Sequence, residues 1–307
     1  MTDTPDRFET GQRETPYNGD VTSPAQLSDR LDAAGYLADD GLATAAFLAI
    51  RMGRPLFVEG EAGVGKTSLA QALAVALGAP LIRLQCYEGV DAAQALYDWD
   101  FPRQLLHLRA AEAVGVTDVD RLEHELYDRR FLLARPLLRA LEESPCVLLI
   151  DEIDRADDEF EAFLLEVLSD FTISIPEVGT VRASTPPVVV VTSNRTREVH
   201  DALKRRCLYH WLDHPGVERE IAVIRRHLPE VTERLAADVA RTVHRLRELD
   251  LLKPPGLAES IDWVAALSAL GANQLDADLA ARTLGAVLKY QEDTERMRPQ
   301  VADLVGG

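Results

Sequence analysis

Several residue types are scarce in this chain of 307 residues, and each scarcity excludes a class of protein. Its three cysteines, Cys86, Cys146 and Cys207, lie far apart and form no C-x-x-C pair, which argues against a disulfide framework and a cysteine-based metal site. The longest apolar runs, such as VLLI and VVVV, are strand-sized, and no apolar leader follows Met1. We therefore expect buried, unreactive thiols, no membrane span and a cytoplasmic location.

Basic residues are also scarce, since 51 acidic residues face 33 basic ones and the formal net charge is −18. This balance argues against a general nucleic-acid-binding surface, which needs cations to neutralise phosphates. The seven histidines contain no H-E-x-x-H motif, so no histidine metal site is expected. Because the chain contains only four lysines, the adjacent Lys204, Arg205 and Arg206 need an explanation.

The pattern along the chain predicts an α/β domain followed by a helical one. Residues 1–22 are polar and aperiodic, which predicts a disordered tail. Apolar strands then alternate with amphipathic helices, and almost everything from Val217 to Met297 has the period of a helix. We therefore predict an α/β domain over residues 23–213 and an all-α domain over residues 214–307.

Four buried strands and a hairpin are predicted in the first part of the chain. The strands are expected at PLFVEG (55–60), PLIRLQC (80–86), CVLLIDE (146–152) and PPVVVVTSN (186–194), and the hairpin at FTISIPEVGTVRAS (171–184). Residues 28–51 predict one or two helices, and residues 67–78 predict a helix that ends at Gly78.

The segment GEAGVGKT (60–67) matches G-x-x-x-x-G-K-[ST] and lies between a predicted strand and a predicted helix, as this motif requires. Its glycines allow backbone N–H groups to face phosphate oxygens, and Lys66 is expected to reach the β- and γ-phosphates of ATP. The alternative is a glycine-rich turn that binds nothing. The predicted nucleotide-binding residues are Gly60, Glu61, Ala62, Gly63, Val64, Gly65, Lys66, Thr67 and Ser68.

Two adjacent acids end the strand VLLID, at the edge where open α/β sheets bind their ligands. The hydroxyl of Thr67 and, through water, the carboxylate of Asp151 are expected to hold Mg²⁺, and Glu152 is expected to polarise the attacking water. Asn194 follows the next buried strand and is expected to bridge that water and the γ-phosphate. The alternatives are a strand that runs into a polar loop, and an ordinary turn residue at Asn194.

The order of these motifs along the chain, from the glycine-rich loop through the two acids to Asn194, resembles that of the AAA+ ATPases. In detail the motifs resemble those of the MoxR branch. The segment LQCYEGVDAAQALYDWDFPRQLLHLR is similar to that branch's insert, and SDFTISIPEVGTVRAS is similar to its hairpin. The segment TSNRTREVHDALKRRCLYHWLDHP is similar to the CoxD-like subgroup, which is encoded with carbon monoxide dehydrogenase and related molybdenum hydroxylases. The resemblance covers roughly residues 28 to 295.

The resemblance implies a P-loop NTPase fold, a three-layer sandwich around a parallel sheet, with a C-terminal helical lid. It implies hydrolysis of ATP with Mg²⁺ by a homo-oligomeric ring, a hexamer, in which Arg205 or Arg206 completes the ATP site of the neighbouring subunit. The alternative for this pair is a solvated basic patch. The implied work is chaperone-like, on a metalloenzyme client during cofactor insertion, beside a von Willebrand factor A-domain partner.

One departure from the family concerns the lid. AAA+ lids usually carry an arginine at the start of a late helix, whereas KPPGLAESIDWVAAL offers Glu259 and Ser260 there.

Two other functions stay open: a nucleotide-dependent binding switch with negligible turnover, and an AAA+ motor that acts on another protein or on a nucleic acid. The intact Glu152 favours the ATPase, and the acidic charge argues against the nucleic-acid client.

Overall fold

The computed structural model describes Tyr17, residues 21–115 and residues 118–306. Of the predicted disordered tail, residues 1–16 and 18–20 lie outside these described residues. The side chains of Tyr17 and Val21 are buried in one apolar cluster with Leu27 and Leu31 of the first helix. Both side chains thus find apolar partners in the fold, while the disordered tail as a whole stays a prediction.

The described residues alternate between strands and helices up to residue 211 and are helical beyond it. The strands are β1 (Leu56–Glu59), β2 (Leu81–Gln85), β3 (Tyr97–Trp99), β4 (Leu132–Ala134), β5 (Val147–Asp151), β6 (Thr172–Ile175), β7 (Gly179–Arg182), β8 (Val188–Ser193) and β9 (Leu208–Trp211). The helices are α1 (Pro24–Ala33), α2 (Asp40–Met52), α3 (Lys66–Leu77), α4 (Ala92–Leu96), α5 (Phe101–Ala113), α6 (Val119–Leu126), α7 (Pro136–Glu142), α8 (Asp158–Asp170), α9 (Asp201–Arg206), α10 (Val217–His227), α11 (Glu233–Arg247), α12 (Leu257–Ala269), α13 (Ala277–Val287), α14 (Gln291–Met297) and α15 (Val301–Gly306). The predicted strands, the hairpin β6–β7 and the helix after the glycine-rich loop are all confirmed.

The central sheet has five strands, all parallel, in the order β2-β5-β8-β1-β9. The sequence predicts four of them and misses β9. This strand lies at the edge of the sheet and pairs Leu208 with Leu56, so its identity depends on a partner far away in the chain. Because parallel strands bring their carboxyl ends to one edge, the ends of β1, β5 and β8 lie side by side.

The sheet is buried on both faces, since successive residues of a strand point to opposite sides. On β1, Phe57 belongs to the core under α7 and α8, whereas Leu56 and Val58 belong to the core shared with α1, α2 and α3. Burial on both faces explains why β5 and β8 are almost continuously apolar in sequence. The predicted three-layer α/β fold is confirmed.

The C-terminal helices form a core of their own. A third apolar cluster takes its residues from between Ile224 and Val301, and Trp263 and Leu267 are fully buried in it. The predicted helical C-terminal region is thus present, while the boundary at residues 213 and 214 stays a prediction. None of the helices in the described part of the chain has the length and apolar content to cross a bilayer.

The three thiols match the expectation for unreactive cysteines. Cys86, Cys146 and Cys207 are all buried and free. Burial raises the pKa of each thiol to about 12, because a thiolate is poorly solvated there. The reactive thiolate is therefore scarce at neutral pH.

Candidate active site

The carboxyl ends of the central strands open into a cavity of about 680 Å³, a size typical of small-molecule sites. Lys66 and Thr67 line it from the start of α3, Asp151 and Glu152 from the end of β5, and Asn194 from the end of β8. The structure thus places side by side the residues that three separate sequence segments supply.

The glycine-rich loop between β1 and α3 forms one wall of the cavity. A Cβ at position 60 would lie 2.3 Å from the carbonyl oxygen of Leu212, so that only glycine fits there. Gly65 caps α3 with a φ of 100°, in the left-handed region that favours glycine. Since the first N–H groups of a helix have no partner within it, the start of α3 offers donors suited to phosphate oxygens.

Not every residue predicted from the loop motif reaches the cavity. The lining residues from the loop are Ala62, Gly63, Val64, Gly65, Lys66, Thr67 and Ser68. Gly60 instead lies against Leu212, and the carboxylate of Glu61 lies 3.1 Å from Nε2 of His214. These two residues therefore contribute to the shape of the loop and do not line the cavity.

Lys66 is buried, and its ammonium donates to the carbonyl oxygens of Gly60 and Glu61, at 2.7 and 2.6 Å. Burial lowers the pKa of this ammonium, while the nearby carboxylates, Asp154 and Asp151 foremost, act to raise it. A phosphate group would replace weak neutral acceptors with charged ones, which is a gain for a cation in this position.

The pair that is expected to hold a metal ion lies at the floor of the cavity. The hydroxyl of Thr67 lies 3.2 Å from each carboxylate oxygen of Asp151, and Asp151 is buried. Mg²⁺ prefers oxygen ligands and is bound by one or two protein groups together with substrate phosphates and water. A hydroxyl and a carboxylate in contact, beside a phosphate-binding loop, fit that preference.

Glu152 is held by two amides. The Nδ2 group of Asn194 donates to one of its oxygens and the Nε2 group of Gln85 to the other, both at 3.2 Å. The backbone of Glu152 has a φ of 56°, in the left-handed region that is uncommon for a residue with a side chain. Strain of this kind is concentrated at functional sites. The two amides thus fix the orientation of the carboxylate at the cavity and leave it able to accept a proton.

Asp154 fixes the loop that follows β8. Its buried carboxylate accepts the backbone N–H of Asn194 at 3.1 Å, and the N–H and hydroxyl of Thr196 at 2.9 and 2.7 Å. Burial alone would raise the pKa of this carboxyl, but the bonds from Thr196 and Asn194 outweigh burial and hold the pKa below its usual value. Asp154 is therefore a structural carboxylate that anchors the loop after β8.

The three adjacent basic residues of α9 point in different directions. Nζ of Lys204 lies 3.6 Å from the buried carboxylate of Glu59, and the guanidinium of Arg206 donates to the carbonyl oxygen of Leu165 at 2.7 Å. The side chain of Arg205 is exposed and has no bonding partner among the described residues. The basic run is thus not one uniform solvated patch.

The helical block touches the glycine-rich loop directly. The backbone N–H of Leu257, the first residue of α12, donates to the carbonyl oxygen of Gly63 at 3.0 Å. Neither polar residue that the sequence offers at this place is free to bind a nucleotide. Glu259 caps the helix by accepting the N–H of Gly256, and Ser260 donates to the buried carboxylate of Glu220.

Three polar residues at the site are missed by the sequence interpretation. Arg219 of α10 lines the cavity and donates to Asp39 and to the carbonyl oxygen of Leu37. Gln85 ends β2, so the rule that ligand-binding residues follow strand ends could have found it. Arg83 lies two residues earlier, on the same face of β2 as Gln85.

The comparisons with known proteins agree with this arrangement. Residues 55–207 match the family model described as AAA domain (dynein-related subfamily). The gas vesicle ATPase GvpN1 of Halobacterium salinarum is 23% identical over 211 residues, which cover 64% of this chain. The alignment spans only 57% of the length of GvpN1.

Some solved structures are distantly similar to this chain. The RuvB Holliday junction branch migration motor of Thermotoga maritima is 18% identical, with a TM-score of 0.45 over 92% of this chain and 75% of that chain. A point mutant of the same protein is 17% identical, with a TM-score of 0.46 over 92% of this chain and 76% of that one.

The anchoring role of Asp154 leads to a prediction for stability. Replacing Asp154 by Asn should lower the free energy of unfolding at neutral pH by about 1–3 kcal/mol, because an amide leaves buried donors without their charged acceptor. The folded-state pKa is lowered, so this contribution is present above the ordinary pKa of 3.8 and is lost as pH falls through the lower folded value. Urea unfolding at a series of pH values measures it.

The matched control is Asp158→Asn, since Asp158 lies on the same segment with 84% of its side chain exposed. It should leave the free energy of unfolding nearly unchanged at every pH. An Asp154→Asn protein as stable as wild type at neutral pH, or a loss that does not shrink towards acidic pH, would contradict the assignment.

Proposed function

We propose, from the match of residues 55–207 to the AAA domain model and from the P-loop fold around the cavity, that the chain is a Mg²⁺-dependent ATPase that hydrolyses ATP to ADP and phosphate. The observation that carries the proposal is the meeting of Lys66, the Thr67–Asp151 pair and the Glu152–Asn194 pair around one cavity. A loop that only binds phosphate does not require the second acid or the amide opposite it.

Each residue has a role that its surroundings support. Lys66 neutralises charge on the β- and γ-phosphates, and the carboxylate of Glu152 accepts a proton from the attacking water. Asn194 orients that carboxylate through its amide and offers the γ-phosphate a neutral partner. Thr67 and, through water, Asp151 would hold Mg²⁺, which would neutralise phosphate charge.

The alternative is a nucleotide-dependent binding switch with negligible turnover. Such a switch needs the glycine-rich loop but gains nothing from a water-activating carboxylate that two amides aim into the cavity. The position of Glu152 therefore favours hydrolysis. A motor that acts on a nucleic acid would need a basic surface, and the net charge of −18 argues against that client.

We further propose that the ATPase works as a hexameric ring of the MoxR type, as a chaperone in metalloenzyme assembly. The support is the resemblance of the insert and of the hairpin β6–β7 to that branch, together with the CoxD-like segment around Asn194. The same resemblance supports a von Willebrand factor A-domain partner and a metalloenzyme client. Steady-state phosphate release with and without such a partner protein tests this role.

The first prediction for catalysis concerns Glu152. Glu152→Gln should retain ATP binding in calorimetry but stop phosphate release, because the amide keeps the shape of the side chain and cannot accept a proton. Lys66→Ala, in contrast, should abolish binding, since it removes the cation from the loop. The matched control is Glu159→Gln, which changes an exposed acid of the neighbouring helix α8. Hydrolysis by Glu152→Gln at the wild-type rate would exclude Glu152 as the activating residue.

The geometry of α9 favours Arg205 over Arg206 as the arginine supplied to the neighbouring subunit. Both residues are exposed, but Arg206 is engaged within its own subunit by the carbonyl oxygen of Leu165, whereas the side chain of Arg205 has no bonding partner among the described residues. Arg54 donates to the backbone carbonyl oxygens of both residues, at 2.7 Å for Arg205 and 3.0 Å for Arg206, and so fixes the end of the helix. A guanidinium held out on a fixed helix suits contact with a phosphate across an interface.

The second prediction follows from this assignment. Arg205→Ala should leave the subunit folded and able to bind ATP, but lower hydrolysis by roughly 10³-fold or more, because the arginine stabilises charge only in the transition state. Arg206→Ala is the matched control and should cost less activity. Phosphate release and calorimetry on each variant measure the two effects.

Mixing tests whether the arginine acts in trans. Rings that contain both Arg205→Ala and Lys66→Ala subunits should regain activity, since some interfaces pair an intact loop with an intact arginine. An arginine that acts within its own subunit cannot be rescued in this way. If verified mixed rings regain nothing, or if Arg206→Ala is the more damaging change, the assignment of Arg205 fails.

A further inference from the structure

Arg83, which belongs to none of the predicted motifs, contacts Asp151, the carboxylate expected to hold the metal ion. Arg83 of β2 donates to Oδ2 of Asp151 from Nε at 3.0 Å and from Nη2 at 2.6 Å. The pairing of β2 with β5 produces this contact, because it sets Gln85 opposite Asp151 and places Arg83 on the same face two residues earlier. The ion pair thus connects the edge strand β2 to Asp151, which lines the cavity.

The carboxylate of Asp151 is saturated with donors. The hydroxyl of Thr192 donates to Oδ1 at 2.5 Å, and the hydroxyl of Thr67 lies 3.2 Å from both oxygens. The hydroxyl of Thr67 shares one hydrogen between the two oxygens, so together with Thr192 and the two N–H groups of Arg83, four donor hydrogens occupy a group that has about four lone-pair sites. A water molecule on Mg²⁺ can therefore bond to Asp151 only if one of these donors leaves.

Arg83 is the donor that can leave most easily. Thr192 is buried within β8, and Thr67 is part of the first turn of α3. Half of the Arg83 side chain is exposed, at 51%, so water can solvate its guanidinium when it swings out. A half-exposed arginine and a water on Mg²⁺ would thus compete for one oxygen, Oδ2 of Asp151.

The same guanidinium is linked to the residue that activates water. Nη2 of Arg83 also donates to Oε1 of Gln85, and the amide of Gln85 donates to Glu152 at 3.2 Å. The contacts form a chain from the metal-binding carboxylate through Arg83 and Gln85 to the water-activating carboxylate. A movement of Arg83 away from Asp151 would therefore also break its contact with Gln85, the residue that bonds to Glu152.

We propose that Arg83 is a positioning residue of the ATP site, which competes with Mg²⁺ for Asp151 and links metal binding to the orientation of Glu152. This inference rests on the proposed ATPase function. It assigns to Arg83 a role opposite to that of a metal ligand, since the guanidinium lowers the affinity for Mg²⁺. An ordinary half-exposed ion pair would affect neither the metal requirement nor the orientation of Glu152.

The test is a titration of Mg²⁺ into the full-length protein in the presence of a fluorescent N-methylanthraniloyl derivative of ADP. Arg83→Gln should lower the Mg²⁺ concentration at half-maximal response by about 10-fold, because it removes a charge-assisted competitor for Asp151. Arg83→Lys should lie nearer to wild type, since it keeps the charge. The matched control is Arg139→Gln, which removes an arginine paired with Glu143 on the outer helix α7 and should not change the midpoint.

The outcomes separate this inference from the function on which it rests. A wild-type response to Mg²⁺ with an unchanged or raised midpoint in Arg83→Gln refutes competition and leaves the ATP site in place. A wild-type protein that binds no nucleotide at any Mg²⁺ concentration refutes the proposed function and this inference with it. Thermal unfolding checks the fold, and Arg83→Met provides a second uncharged variant if Arg83→Gln does not fold; its midpoint must fall as well.

Discussion

The whole site depends on the parallel pairing of the central strands. In this pairing Glu59 lies opposite Ser193, and Gln85 lies opposite Asp151, so the glycine-rich loop, the acids and the amide all begin at one edge of the sheet. A slip of one residue in any strand would turn its side chains to the opposite face. The apolar cores on both faces oppose such a slip, because every strand residue in β1 and β5 is buried.

Buried polar groups at that edge are stabilised by one another. Asp151 is bonded by Thr67, Thr192 and Arg83, and Asp154 by backbone and hydroxyl donors of the loop after β8. A buried carboxylate is costly unless it is paired and hydrogen-bonded, and these groups meet that requirement. Apart from Arg83, which we propose leaves Asp151 when Mg²⁺ binds, these groups are thus arranged before a nucleotide enters.

The sequence predicted the parts of the site whose signals are local. The glycine-rich loop, the acids after a buried strand and the amide after the next strand are each contained within a few neighbouring residues. Arg83 and Gln85 could not be assigned in this way, because their contacts exist only when β2 lies beside β5. The edge strand β9 was missed for the same reason, since LYHW becomes a strand only against β1.

The burial of Tyr17 likewise depends on contacts beyond its own polar segment, with α1 and its neighbours. The different contacts of Lys204, Arg205 and Arg206 could also not be predicted from the sequence. It depends on Glu59 and Leu165, which approach α9 from two other elements of the fold.

The glycine-rich loop, the acids and the amide together form the proposed site for ATP and Mg²⁺. A crystal structure with Mg²⁺ and a non-hydrolysable ATP analogue tests this proposal most directly. We expect the γ-phosphate in contact with Lys66, the metal ion on the hydroxyl of Thr67 with Asp151 bonded to its water, and a further water between Glu152 and the γ-phosphate. An analogue bound with its phosphates away from the loop, or a γ-phosphate that Glu152 cannot reach even through water, would contradict this proposal.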